Sequence, residues 1–122
     1  MSSPRFLLDT NVVIGLAKGP GPARALVDQH GAPPHFSAVS QISRIEMLGY
    51  WLLTSDEEVR IHVLLSAMTV ILIDELIERE AITFRRRTRM KLPDAVIAAT
   101  ARVHGLQLLT LDERLHAAFQ AG

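Results

Sequence analysis

Four short runs of strand-forming residues, separated by segments with helical spacing, constrain the fold of this chain more than any other feature. They cover residues 6–8, 35–39, 70–73 and 106–109, and each is too short for a helix. Strands with little polar alternation are typical of a parallel sheet that is buried on both faces. Parallel neighbours need right-handed crossover connections, so helices must cover both faces. The sequence therefore predicts an α/β fold, a three-layer α/β/α sandwich with a central parallel sheet.

The intervening segments carry the capping and breaking signals of helices. We predict helices over residues 12–17, 23–29, 41–53, 55–68, 75–88, 93–104 and 112–119. Ser55 and Asp74 have the residue type and position of helix N-caps. Residues 95–101 are almost all small or apolar, so we expect their helix to be buried. In the helix over 75–88, the residues expected to face the core are Leu76, Ile77, Ala81 and Phe84.

Length and composition exclude several classes of protein. The 122 residues suffice for one domain with a real core, so we assign 1–122 to a single domain. No apolar stretch approaches the ~20 residues of a membrane span. The first residues lack the basic start and long apolar core of a secretory signal, so we expect a cytoplasmic protein that is not bound to a membrane. Without cysteine, any metal chemistry must rely on carboxylates, with or without histidine.

Four acidic residues lie where this fold would place a ligand crevice. Asp9 and Asp112 follow the first and fourth predicted strands, and ligands of open α/β sheets bind outside the carboxyl ends of the strands. Asp94 opens the buried helix, and Glu46 is expected at the inner edge of its helix, facing packed structure. Each has a simpler explanation. Asp9 and Asp112 could be N-caps, Asp94 a partner of the helix dipole, and Glu46 a rim residue.

The segments around these acids resemble the PIN-domain ribonucleases, and among them the VapC-type toxins of bacterial toxin–antitoxin systems. The matching motifs are Asp9-Thr10-Asn11 after an apolar strand, Glu46 in the segment 40–46, Leu92-Pro93-Asp94 before the alanine-rich helix, and Leu109-Thr110-Leu111-Asp112. The resemblance covers residues 6–119, and the Leu-Pro-Asp motif is its most specific part. It implies a sheet of four strands in the order 3-2-1-4, often with a fifth edge strand, and an acidic pocket at the carboxyl edge.

The resemblance also implies roles for individual residues. The acidic quartet would be Asp9, Glu46, Asp94 and Asp112, supported by the small polar residues Thr10, Asn11 and Thr110. Carboxylates packed together raise one another's pKa, and a cation relieves their repulsion. Oxygen ligands alone favour Mg²⁺ or Mn²⁺. The expected activity is metal-assisted hydrolysis of an RNA phosphodiester by water, with Asp9 and Asp94 at the principal metal.

A basic cluster lies just before Asp94. Its members are Arg85, Arg86, Arg87, Arg89 and Lys91. The formal net charge of the chain is zero, so an acidic pocket would otherwise repel a polyanionic substrate. We interpret the four arginines as RNA-binding residues that hold phosphates beside the pocket. The alternative is that they complement the carbonyl end of a helix and are solvated.

The aromatic residues and histidines give weaker signals. Tyr50 and Trp51 follow the helix that carries Glu46, and they could stack on a base. Packing in the core or in an interface is the simpler interpretation. The histidines His30, His35, His62, His104 and His116 show no metal-ligand spacing, so we interpret them as structural or surface residues.

Two other functions stay open at this point. One is phosphotransfer through an aspartyl-phosphate intermediate formed on Asp9, although the phosphatases that use an Asp-x-Asp pair differ from this chain at Asn11. The other is a catalytically silent PIN-like module that binds RNA or protein, against which the four acids argue. The resemblance further implies a small antitoxin that blocks the acidic pocket, and a homodimer of the toxin.

Overall fold

The sheet has four parallel strands in the expected order. The computed structural model describes residues 3–122, so Met1 and Ser2 of the predicted domain lie outside the described residues. The strands are β1 (Phe6–Leu8), β2 (Ser37–Ser40), β3 (Thr69–Ile71) and β4 (Gln107–Leu109), in the order β3-β2-β1-β4. All three pairings are parallel. The predicted sheet is confirmed, and no fifth strand occurs in the part of the chain that the structure describes.

Helices connect the strands and cover the sheet. They are α1 (Thr10–Lys18), α2 (Pro22–His30), α3 (Gln41–Leu48), α4 (Ser55–Ala67), α5 (Glu75–Thr88), α6 (Leu92–His104) and α7 (Glu113–Gln120). A single 3₁₀ turn, Pro34–Phe36, leads into β2. Over residues 3–122, none of the helices combines the length and apolar character that crossing a membrane requires.

Two cores lie on opposite faces of the sheet, because successive side chains of a strand point in opposite directions. Phe6 and Leu8 pack with α1, α2 and α4, whereas Leu7 packs with α5 and α6. Every residue from Ala95 to Ala101 in α6 is buried, as predicted. Burial of both faces explains why the strands lack polar alternation.

The register of β1 and β4 positions the candidate site. Leu8 pairs with Leu109, and the Asp9 N–H donates to the Leu109 carbonyl oxygen over 2.9 Å. The residues that follow these two strands therefore leave the sheet side by side at its carboxyl edge. This edge is where an open parallel sheet binds ligands.

Several predicted boundaries are wrong, among them the end of β3, which lies at Ile71 instead of residue 73, and three of them have local reasons. β2 begins at Ser37 instead of residue 35, because Pro34 opens the 3₁₀ turn. α3 ends at Leu48 instead of residue 53, where Gly49 is its C-cap. The N-cap of α4 is Thr54 and not Ser55, since the Thr54 side chain accepts a hydrogen bond from the Glu57 N–H. Asp74 does cap α5, as predicted.

Some side chains that were expected to pack against the rest of the protein face solvent instead. Tyr50 and Trp51 are 53% and 86% exposed, so packing in the core is wrong for both. The early end of α3 explains this, because the two residues lie in the turn after the helix. Leu76 is exposed, whereas Ile77, Ala81 and Phe84 are buried as expected. Glu46 is also exposed, contrary to the prediction that it faces packed structure.

Candidate active site

Asp9 is the buried member of the acidic group. It follows β1 directly and is only 4% exposed. Its Oδ1 accepts a hydrogen bond from the Thr10 N–H, and its Oδ2 accepts one from Thr110 Oγ1, each over 2.7 Å. Burial raises the pKa of Asp9, the bonds from Thr110 and Thr10 oppose this rise, and the charges of Asp94 and Glu46 add to it. Asp9 is the N-cap of α1, but capping alone leaves its charge unfavourably buried.

Hydrogen bonds between polar groups hold the loop after β4 against the start of α1. Thr110 Oγ1 donates to Asp9 and accepts from the Asp112 N–H over 2.9 Å. Asn11 Oδ1 accepts from the Leu111 N–H over 3.2 Å. Thr110 and Asn11, two of the three polar supports that the resemblance implied, therefore fix the position of the segment that carries Asp112.

Asp94 is the third residue of α6, and its carboxylate is half-buried. Among residues 3–122, no hydrogen-bond donor reaches this carboxylate, and the N-cap Lys91 provides no side-chain cap. Burial raises the pKa of Asp94, and the charges of Asp112 and Glu46 raise it further. The opposing cations are Lys91 and Arg114.

Glu46 and Asp112 border Asp9 and Asp94 from separate helices. Glu46 Oε1 accepts a hydrogen bond from Thr10 Oγ1 over 2.8 Å. Asp112 Oδ1 accepts from the N–H groups of Arg114 and Leu115 over 2.9 and 3.1 Å, so Asp112 caps α7. One oxygen of each carboxylate is held in place, and each raises the pKa of Asp94. Asp112 can therefore cap α7 and belong to the acidic group at the same time.

Ser43 is a site residue that sequence reasoning missed. It is fully buried, and its hydroxyl lies 2.8 Å from Thr10 Oγ1. Thr10 has a single hydroxyl proton, and a bond to a carboxylate is the stronger use of it. Ser43 then donates to Thr10, which donates to Glu46. The available signal was the spacing of Ser43 and Glu46, which puts both on one face of α3.

The structure separates the predicted RNA-binding arginines into two groups. Arg85, Arg86 and Arg89 line a shallow hollow together with Ile82. Arg87 instead lies over the Phe84 ring, 5.1 Å from its centroid, and donates to the Ala118 carbonyl oxygen over 3.5 Å. A packing role therefore accounts for Arg87 without RNA.

Arg114 was missing from the predicted set, although its charge acts on Asp94. It lies two residues after Asp112, and its N–H is one of the groups that bond the Asp112 carboxylate. That short spacing was the signal for including it. With Lys91 it supplies positive charge next to the carboxylates.

The residue types of the four acids fit a divalent cation better than the distances between their side chains do. No three His, Cys, Asp or Glu side chains of residues 3–122 lie close enough together to form a metal-binding cluster. The four acids nevertheless offer oxygen ligands only, and burial, together with the charges of neighbouring carboxylates, raises the pKa of Asp9 and Asp94. Glu46 is exposed and Asp112 is half-buried, so these two side chains are the ones that would close on an ion.

Comparison with known proteins gives a consistent result. A family model for the PIN domain matches residues 6–119. A chain of a toxin–antitoxin complex from Klebsiella pneumoniae is 34% identical, with 87% of this chain and 85% of that chain covered and a TM-score of 0.73. FitAcB from Neisseria gonorrhoeae is 23% identical over 94% of this chain and 93% of that chain, with a TM-score of 0.75, and supports the fold alone. No curated protein matches the sequence.

Proposed function

The chain belongs to the PIN-domain family, and from this premise we propose that it is a metal-dependent endoribonuclease toxin that a cognate antitoxin inhibits. One observation carries the proposal. Four carboxylates from four elements lie at the carboxyl edge of the sheet, where burial, followed by the charges of neighbouring carboxylates, raises the pKa of Asp9 and Asp94. A divalent cation is the partner that makes such a group favourable in its charged form.

Asp9 and Asp94 would hold the ion, which would be Mg²⁺ or Mn²⁺. Glu46 and Asp112 would complete its coordination shell or orient a water molecule. When bound, the ion lowers the pKa of a water molecule and neutralises charge on the scissile phosphate. Thr110 and Thr10 fix the two oxygens of Asp9, and Ser43 fixes Thr10. These bonds hold the Asp9 carboxylate in place before the substrate arrives, which reduces the cost of reorganisation.

The reaction consistent with this edge is direct hydrolysis. A water oxygen attacks phosphorus, the bond from phosphorus to the leaving ribose oxygen breaks, and the leaving oxygen gains a proton. A carboxylate that orients the water, Glu46 or Asp112, accepts the proton that the water loses. No covalent intermediate with the enzyme forms.

Positive charge near the acids would hold the RNA backbone. Lys91 and Arg114 act on Asp94 directly, and Arg85, Arg86 and Arg89 offer a second patch. Contacts from these groups to phosphates would position the chain without reading its sequence. Arg87 contributes through packing against Phe84 instead.

The proposed partners are a small antitoxin and a second copy of the chain. The relative from Klebsiella pneumoniae comes from a toxin–antitoxin complex, which supports an antitoxin for this protein. Ile73, Ile82 and Leu92 are 39%, 47% and 54% exposed around one apolar hollow on α5 and α6, a surface suited to a homodimer. We propose that the protein acts on RNA in the cytoplasm.

Cleavage of a structured RNA or a transfer RNA by the purified protein tests this function. Cleavage is expected with Mg²⁺ or Mn²⁺ and should stop with EDTA. Asp9→Asn should abolish cleavage while the far-ultraviolet circular dichroism spectrum stays unchanged. Full activity in EDTA, or in the Asp9→Asn variant, would contradict the mechanism.

A further inference from the structure

An apolar cavity of about 380 Å³ lies between α1, α3 and α4. It adjoins the carboxylate edge, the part of the sheet edge at which Asp9, Glu46, Asp94 and Asp112 lie. Its apolar lining includes Ala17, Met47 and Ile61, which are all buried. Thr10 and Glu46 belong to both the cavity and the candidate active site. The volume falls within the range of cavities that accept small ligands. The cavity is therefore a built extension of the site.

The charges in the cavity disfavour a phosphate. Its ionisable groups include the carboxylates of Glu46 and Glu57 and a single ammonium, on Lys18. Lys18 lies at the far end of α1 from Thr10, eight residues or about 12 Å along the helix axis. It also lies near Glu57, whose pKa is lowered mainly by the hydrogen bonds from Thr54 and further by the Lys18 charge. An apolar space with an excess of carboxylates accepts a neutral group with polar edges better than an anion.

Aromatic surface lies next to this space. Tyr50 lines the cavity and is half exposed, and the adjacent Trp51 is 86% exposed. Both follow Gly49, which ends α3 one turn after Glu46. Exposed aromatic rings beside a charged site are the usual platforms for stacking single-stranded bases.

We propose that this cavity is a nucleobase subsite, which receives one unpaired base of the RNA chain held at the carboxylate edge. The proposal rests on the proposed function, because the RNA backbone must lie beside Thr10 and Glu46 for a neighbouring base to enter. The base faces contact Met47, Ile61 and Tyr50. The polar edge of the base meets Glu46, which accepts from amino or imino groups.

A comparison of two ligands and three proteins tests this subsite. The ligands are a single-stranded RNA of twelve nucleotides and a chain of abasic phosphates with the same length and charge. The proteins carry Asp94→Asn to prevent cleavage, either alone or with Tyr50→Ala or Leu52→Ala. Leu52 is the matched control, since it is 66% exposed in the same turn but does not line the cavity. Fluorescence anisotropy gives each dissociation constant, and thermal melting checks each fold.

We expect the RNA to bind at least tenfold more tightly than the abasic chain. Tyr50→Ala should weaken RNA binding about tenfold and leave the abasic chain unaffected. Leu52→Ala should change neither. Equal affinity for RNA and the abasic chain, or an equal effect of Tyr50→Ala on both ligands, would overturn the subsite. A cavity that serves a protein segment predicts this same equality.

Failure of the nucleobase subsite can be distinguished from failure of the proposed function. Cleavage by the parent protein depends on the carboxylates and the cation. If the parent cleaves RNA but base and abasic ligands bind alike, only the subsite fails. If the parent neither cleaves nor binds RNA, the proposed function fails with it.

Discussion

Glu57 and Asp94 occupy the same position, the third residue, of α4 and α6, but their surroundings differ. Glu57 Oε1 accepts from the N–H and the hydroxyl of Thr54 over 3.1 and 2.9 Å, in a complete capping box. These bonds lower the pKa of Glu57. The Asp94 carboxylate has no such cap to complete, and burial together with neighbouring carboxylates raises its pKa.

The two acids contribute differently to their helices. A capping carboxylate stabilises its helix by accepting orphan N–H bonds, and its charged form is favoured. Asp94 gives α6 no such bond: its side chain is shorter than that of glutamate, and the N-cap Lys91 makes no side-chain hydrogen bond. Its charge stays disfavoured in the absence of a cation. The capping box therefore favours stability of its helix, whereas the role that we propose for the acidic group is to bind a cation.

The largest expected contrast is in catalysis. Asp94→Asn keeps the size of the side chain but removes the charge that would bind the ion. We expect cleavage of RNA to fall at least about a hundredfold. Thr54→Ala, which breaks the capping box, should leave the cleavage rate within about twofold. Single-turnover assays at saturating protein measure both, and similar losses in the two variants would remove the distinction.

The next difference is in stability, where we expect Thr54→Ala to have a larger effect than Asp94→Asn. Thr54→Ala deprives the Glu57 N–H and carboxylate of their partner, which should lower the free energy of unfolding by about 1 kcal/mol. Urea denaturation measures this change. An unaltered midpoint in Thr54→Ala would mean that the capping box adds nothing to the stability of α4.

The smallest contrast is in the pH dependence of stability without added metal. The folded-state pKa of Asp94 lies above the unfolded value, so the native state binds the proton more tightly. The free energy of unfolding should therefore fall as pH rises from the ordinary value of 3.8 through the raised folded pKa. Asp94→Asn should remove part of this fall. Parallel stability curves for parent and variant would contradict the raised pKa.

The sequence predicted the sheet well because its signals are local and strong. β1 and β4 are short, apolar and followed by polar residues, and α6 is bounded by Pro93 and Gly105. The order 3-2-1-4 came from the resemblance, since no local pattern specifies which strands are neighbours. The end of α3 was missed because Leu52 continues the apolar spacing, while Gly49 ends the helix earlier.

The candidate site was predictable as a set of residues but not as a network. The four acids were named from their motifs, and the structure brings them to one edge. Ser43 and Arg114 were missed because a serine in a helix or an arginine on the surface has no distinctive pattern alone. Their roles depend on contacts with Thr10 and Asp94, which only the fold creates.

Binding of Mn²⁺ to the purified protein, measured by electron paramagnetic resonance of the free ion, is the direct test of a cation site formed by the four carboxylates. The parent and Thr54→Ala should each remove Mn²⁺ from solution with the same dissociation constant. Asp9→Asn and Asp94→Asn should bind it at least about tenfold more weakly. Equal binding by all four proteins, or no binding by the parent, would contradict a cation site at the carboxylate edge.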